Sequence, residues 1–309
     1  MRLIFLTAAL ITINAACTPT EMSQSWQIDR TRVLAIKAEV VGEDGTTTSL
    51  AEAQPGETIN LSALLVHPEL DSTALWLGCP SAEASPFGCT FSEELFELFE
   101  DLNPDEITPE EYIEFQAQAQ ELGLIGIEPF LPPTYTFGDD FLDHLTDEEK
   151  IEGDELLITI IANPIIDGIP DEEDTEIATK RIPISTSTTP NQNPDIVQVL
   201  IDGAPAPDGQ PYTVVGGEKY DIEPILAQDP EVYTYVASDG VAEERTEEPY
   251  FQFYTTEGRF DTPYSLYGDY QEVTWTAPDA SVTQEVTIWI VSRDRRGGMG
   301  WIEQTFIIE

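Results

Sequence analysis

Two histidines, three cysteines, three methionines and 13 lysines and arginines are all that 309 residues hold of these types. Each scarcity excludes something. With only His67 and His144 present, nucleophile–histidine and paired-histidine metal constellations have almost no material. No GxSxG elbow, HExxH helix or phosphate-cradling glycine loop occurs in the chain. Carboxylates number 59, so no particular pair is informative as a glycosidase acid and nucleophile. The formal charge is −46, and no Lys or Arg occurs from Ala38 to Glu149. A coat so poor in cations repels nucleic acid, which is thereby excluded as a partner.

What is present argues against disorder. The chain is 41% hydrophobic, with 13 Phe, 11 Tyr and 5 Trp spread along most of its length. A folded chain with an acidic coat follows, suited to a salty medium or to divalent cations held loosely at the surface. Such a chain repels itself over a Debye length of ~30 Å at about 0.01 M salt but only ~3 Å at about 1 M. Its melting temperature should therefore rise with sodium chloride across that range. A flat or falling melt would refute self-repulsion.

The opening MRLIFLTAALITINAAC carries one charge, Arg2, before a short apolar run. That run is too short to span a bilayer, which takes about 20 apolar residues. A basic start, an apolar core and small residues at the end read as a secretory signal peptide. Ala15 and Ala16 stand directly before Cys17, an arrangement that resembles the lipobox of bacterial lipoproteins. The resemblance implies that residues 1–16 are removed and that Cys17 is lipidated as the new N-terminus. Asn14 departs from the aliphatic residue of that pattern. Thr18, rather than Asp, follows the cysteine, which by the same resemblance favours the outer membrane, at its periplasmic or surface face. Removal of Arg2 takes the net charge from −46 to −47. Residues 17–27 are polar and aperiodic and read as a tether.

The remainder repeats itself. GETINLSALL from Gly56 matches GEKYDIEPIL from Gly217, PTYTFGDD around Tyr135 matches VTWTAPDA around Trp275, and ELLITIIAN from Glu155 matches EVTIWIVSR from Glu285. The three pairs keep their order, as two related units would. Period-two alternation closed by turn residues predicts strands. The units are expected at 28–187 and 192–309, joined at 188–191 within the polar run Ser185–Pro194. VTIWIVSRD and MGWIEQTFII flank Arg295-Arg296-Gly297-Gly298, a predicted tight hairpin. Residues 91–125 interrupt the first unit with helical signals. Thr90-x-x-Glu93 and Thr108-Pro109-x-Glu111 read as capping boxes, Gly123 as a stop, and Thr146 with Glu149 as a third box.

RVLAIKAEV, PGETINLSALL, WTAP and VTIWIVSRDRRGG resemble the immunoglobulin-like domains of Gram-negative surface lipoproteins. The expected fold is thus mainly β, with two tandem immunoglobulin-like β-sandwich domains, the first carrying a helical insertion. The Cys…Trp…Cys core of antibody domains is absent, so the relation is one of architecture.

Cys79 and Cys89 bracket PSAEASPFG. A close, even pair in an exported chain predicts a disulfide. DGIPDEEDTE offers Asp167, Asp171, Glu173 and Asp174 as calcium candidates, since DGIPD looks like the repeats of thrombospondin-type calcium modules. Asn163 and Ile165 stand where those repeats place further Asp ligands. One loop cannot supply the six to eight oxygens that calcium takes, so an acidic hairpin turn is the expected role and no cofactor is expected. The function that follows is a lipid-anchored, non-catalytic binding, adhesion or spacer module, with envelope proteins or glycans as partners. The alternative is an extracellular carboxylate-based hydrolase acting on polysaccharide.

Overall fold

A computed structural model describes residues 24–309, apart from 43, 81–84, 86–87, 90–91, 101–107, 237–241, 269 and 280–281. The expected signal peptide and Cys17 therefore lie outside the described residues. The chain is mainly β. It begins with β1 (Arg32–Val41), β2 (Thr58–Val66) and β3 (Ser72–Pro80). Helices α1 (Glu93–Glu100) and α2 (Pro109–Glu121) come next, followed by β4 (Leu124–Glu128), β5 (Thr134–Thr136) and a short α3 (Glu149–Glu152). Strands β6 (Asp154–Ile166), β7 (Ile169–Pro170) and β8 (Glu176–Ile184) complete the N-terminal part. Strands β1, β2 and β5 form one sheet; β4, β3 and β6, with β8 beyond β6, form another. Between them lie Ile36, Ala38, Ile59, Leu61, Trp76, Ile158 and Ile160. Buried and half-exposed residues largely alternate along β2, whereas β6 buries Leu156–Ile160 continuously. One exposed face and two covered faces account for the difference.

The C-terminal part starts with β9 (Ile196–Ile201), β10 (Ala204–Pro205), β11 (Tyr212–Val214) and β12 (Lys219–Leu226). A hairpin of β13 (Val232–Val236) and β14 (Ala242–Thr246) stands apart from the sheets. Strands β15 (Tyr250–Thr255), β16 (Arg259–Phe260), β17 (Tyr264–Leu266), β18 (Val273–Thr276), β19 (Gln284–Arg293) and β20 (Met299–Ile308) follow. Sheets β10-β9-β12-β18-β16 and β11-β20-β19-β15-β17 enclose Ile222, Phe251, Phe253, Trp275, Ile288 and Phe306. Trp275 is fully buried. An aromatic ring of this size removes about 150–250 Å² from water, an upper bound of ~4–6 kcal/mol.

The sequence repeat has a geometric counterpart. Thr58 pairs with Thr136 as Lys219 pairs with Thr276, and Ile59 with Tyr135 as Tyr220 with Trp275. Phe137 N–H donates to Glu57 O at 2.9 Å, and Ala277 N–H to Glu218 O at 3.0 Å. Gly56 and Gly217 both have positive φ, and a Cβ on either would meet an aspartate, Asp139 or Asp279, at 2.6 or 2.7 Å. In both halves these glycines set the turn that starts the pairing strand.

The two helices lie between β3 and β4. Leu95, Phe115 and Ala119 pack on Leu77 and Leu124 as a small core of their own. Thr90 lies outside the described residues; the side chain that accepts from the first turn is Ser92, whose Oγ takes Leu95 N–H at 3.1 Å. The cap of α1 is thus two residues later than Thr90-x-x-Glu93 predicts, Ser92 being the residue directly before the first helical position. Pro109 does open α2, and Gly123, at φ +89, follows its end. Thr146 and Glu149 satisfy one another reciprocally, at 2.9 Å (Thr146 N–H to Glu149 Oε2) and 3.3 Å (Glu149 N–H to Thr146 Oγ1).

Cys79 and Cys89 are disulfide-bonded, with Cα atoms 5.8 Å apart. The bond ties β3 to the loop that leads into α1. Closing so short a loop restricts the unfolded chain by about 3 kcal/mol in the chain-entropy account. Replacing both cysteines with alanine should cost about that much in urea unfolding. A loss under half of it would show that the loop contributes little to stability.

The described parts of two expected spacers are packed into the fold. At the end of the expected tether, Trp26 is buried among the C-terminal core residues, edge-on to Phe260 at 5.7 Å. Ile28 N–H donates to Thr255 O, and Thr255 N–H to Trp26 O. In the run between the halves, Asn191 and Asn193 are buried. Asn193 Nδ2 donates to Ala38 O at 2.7 Å while its Oδ1 accepts from Met299 N–H at 2.9 Å. A polar composition looked like a free connection because asparagine amides serve equally as solvated groups and as buried cross-links.

Candidate functional site

Strand β15 pairs with β17 so that Tyr250 faces Leu266 and Gln252 faces Tyr264. Side chains alternate along β15, which sends Phe251 and Phe253 into the core and Tyr250 outward. Tyr250 and Tyr264 meet at 5.6 Å between ring centroids. Leu266 and Tyr270 continue the strip, Tyr270 being 77% exposed. The Arg295 guanidinium lies 6.0 Å from the Tyr250 ring and pairs with Glu248 at 3.2 Å.

The β13–β14 hairpin adds a second set at the same end of the sheets. Arg296 covers the ring of Tyr233 at 4.3 Å, and Arg245 covers Tyr235 at 3.7 Å. Three of the chain's few arginines thus stack on tyrosines in one region. Exposed tyrosine rings beside guanidinium groups can grip a flat polar partner with little loss of side-chain freedom.

Beneath this surface lies a charged knot. Arg296 reaches Glu247 at 2.8 Å, Glu231 at 3.4 Å and Glu52 at 3.8 Å. Asp294, almost wholly buried, accepts from Asn191 Nδ2 at 2.8 Å and from the backbone N–H groups of Arg296 and Gly298. Asn191 N–H in turn donates to Glu52 at 2.8 Å, and Ser185 Oγ also donates to Glu52. Burial pushes Glu247 above the usual carboxylate range, opposed by its hydrogen bond to Arg296. Lys180 of β8 donates to Gly297 O. Burial drives its pKa down to about 7, with Asp294 opposing the fall and Arg293 adding to it.

The residues singled out in the sequence are not drawn together here. Cys17 is outside the described residues, and the Cys79–Cys89 bond sits beside the helices. Asp167, at φ +53, forms the β6–β7 turn with Gly168. Asp171 accepts from Glu173 N–H at 3.1 Å and caps a single 3₁₀ turn. Asp174 accepts from the N–H and Oγ1 of Thr31, both at 3.0 Å. Among the described residues no group of three His, Cys, Asp or Glu side chains is arranged to hold a metal ion. Asp167 is thus a turn residue, Asp171 a cap and Asp174 a tie to Thr31. The tyrosine–arginine end was missed. Its one sequence signal, a rise in Tyr and Arg after residue 230, is faint.

No family model matches the sequence, and no curated protein does either. Among solved structures, murine CEACAM1b is similar at 9% identity over 89% of this chain and 100% of that chain, with a TM-score of 0.20. The two tandem V-type regions of VCBP3, a v-region-containing chitin binding protein, give 11% identity over 90% and 100%, with a TM-score of 0.27. SGBP-B of the Bacteroides ovatus mixed-linkage glucan utilization locus gives 10% identity over 92% and 71%, with a TM-score of 0.18. Likenesses this slight assign neither fold family nor ligand.

Proposed function

We propose that this chain is an outer-membrane or cell-surface lipoprotein, anchored through Cys17, that works as a non-catalytic binding or adhesion module. In this reading its two halves are tandem immunoglobulin-like sandwiches, the first with a helical insertion at 91–125. The observation that carries the binding role is the strip of half-buried Tyr250 with exposed Tyr264, Leu266 and Tyr270, held beside Arg295. Aromatic and arginine side chains contribute most of the energy of such contacts. The ring faces suit the apolar faces of sugar rings, and glycan is the partner proposed.

The test is binding of the purified domain to a panel of soluble envelope and extracellular polysaccharides. Tyr264→Ala with Tyr270→Ala should weaken capture by about tenfold or more, the effect of losing 1.4 kcal/mol. An Ile169→Ser control, elsewhere on the surface, should leave it unchanged. Equal capture by the tyrosine variant and the parent would sink the assignment.

A further inference from the structure

A protein held by its N-terminus would ordinarily be pictured with its N-terminal half next to the membrane. The backbone runs otherwise. The segment from Gln24 to Ile28 does not enter the N-terminal sheets. It lies along the C-terminal ones, with Gln27 bridged to Thr255 in parallel fashion and Trp26 set against Phe260. Gln24 and Trp26 border an open groove with Gly258, Arg259, Asp261 and Pro263. Only six residues lie between Cys17 and Gln24, and the seven steps across them reach at most ~25 Å even when fully extended.

The groove and the end of the strip at Tyr250, Leu266 and Tyr270 lie at opposite ends of the same strands, with Tyr264, the neighbour of Pro263, between them. In β15, Thr255 pairs with Ile288 and Tyr250 with Arg293, so the Trp26 end and the Arg295–Arg296 hairpin end are about 17 Å apart along the sheet. The N-terminal half is fastened along the outer face of that sheet, where Leu34, Leu64 and Val66 pack with Trp289 and Val291, and at the hairpin end. Arg293 donates to Leu34 O at 2.7 Å, Lys180 to Gly297 O, and Arg296 approaches Glu52.

We infer that the interaction surface with lipid is the Gly258–Asp261 end of the C-terminal sheets, and that the hairpin end with Tyr250, Leu266 and Tyr270 is turned away from the bilayer. The inference rests on the proposed lipidation of Cys17. Trp26 is the positioning residue, because it shortens the span between lipid and fold to those six residues.

The experiment places a fluorophore at Asp261→Cys or at Tyr270→Cys in two preparations. One is the lipidated chain in phosphatidylcholine vesicles containing a nitroxide head-group lipid. The other carries a hexahistidine tag in place of Cys17 and is held on the same vesicles with a nickel-chelating lipid. Quenching at 261 should exceed that at 270 roughly threefold or more, given about 17 Å between the two ends. Trp26→Ala should even out the two while a melt confirms that the domain is still folded. Equal or reversed quenching on the nickel vesicles overturns the orientation, as does a difference that survives Trp26→Ala in the folded variant. Cys17→Ser separately reports on the anchor. If the parent and this variant partition alike into detergent, the lipid reading fails, and the nickel vesicles still decide the orientation.

Discussion

Arg296→Met should lower the stability of the folded chain by about 3–5 kcal/mol, the cost of leaving buried carboxylates without their cation. Glu247 and Glu52 are each only 8% exposed, and the same guanidinium serves both. Water cannot replace it without opening the contact between the two halves. The loss is read from urea unfolding, followed by tryptophan fluorescence. Glu247→Gln in the Arg296→Met background should recover part of the loss, since one unpaired charge is then gone. A single variant as stable as the parent would show that the knot is solvated and holds nothing together.

Lys180→Met should act in the opposite direction. A lysine whose pKa falls from 10.5 to about 7 on folding is a stability cost. Below pH 7 both states carry the proton and the cost is present in full, on the order of 4–5 kcal/mol. Between pH 7 and 10.5 the unfolded chain binds the proton and the folded chain does not, so stability rises with pH through that window. Asp294 and Arg293 are the charged groups that bear on the ammonium, and they work against each other. The substitution also removes the hydrogen bond to Gly297 O, worth about 1–2 kcal/mol. The net gain at pH 6 should therefore be on the order of 3 kcal/mol. Parent and variant should then converge and cross between about pH 9 and 10, the parent becoming the more stable by the hydrogen bond it keeps. Parallel stability curves across that range would show that Lys180 keeps its charge in the folded state.

The strands that carry the repeat were legible because alternation and turn chemistry act locally. Gly56 and Gly217 had to be glycine, and their alignment carried the pairing partners Tyr135 and Trp275 with it. Thr146 with Glu149, and Gly123, were legible for the same reason. Thr90 misled because Ser92 offers the same hydroxyl two residues later, and only the packing of Leu95 decides between them. Trp26 and Asn193 were not legible at all. Their partners, Phe260 and Met299, lie far along the chain, and nothing in a polar run marks which residue will be buried against a distant strand. The binding surface escaped for a related reason. Tyr233, Tyr250 and Tyr264 fall on different strands, and only the hairpin and the β15–β17 register bring them to one end.

Trp26 also sets an order of events for a newly made chain. Its berth is built from Phe260 and Thr255, which leave the ribosome on the order of 10 s or more later at about 5–20 residues per second. The N-terminal sheets can close in the meantime, but they close with an indole still unhoused at their leading edge. Strand β20, the last in the sequence, lies inside its sheet between β19 and β11. Completion of the fold therefore travels from the end of the polypeptide back to its beginning. A holdase in the compartment where the chain folds would find that tryptophan available until β20 is in place.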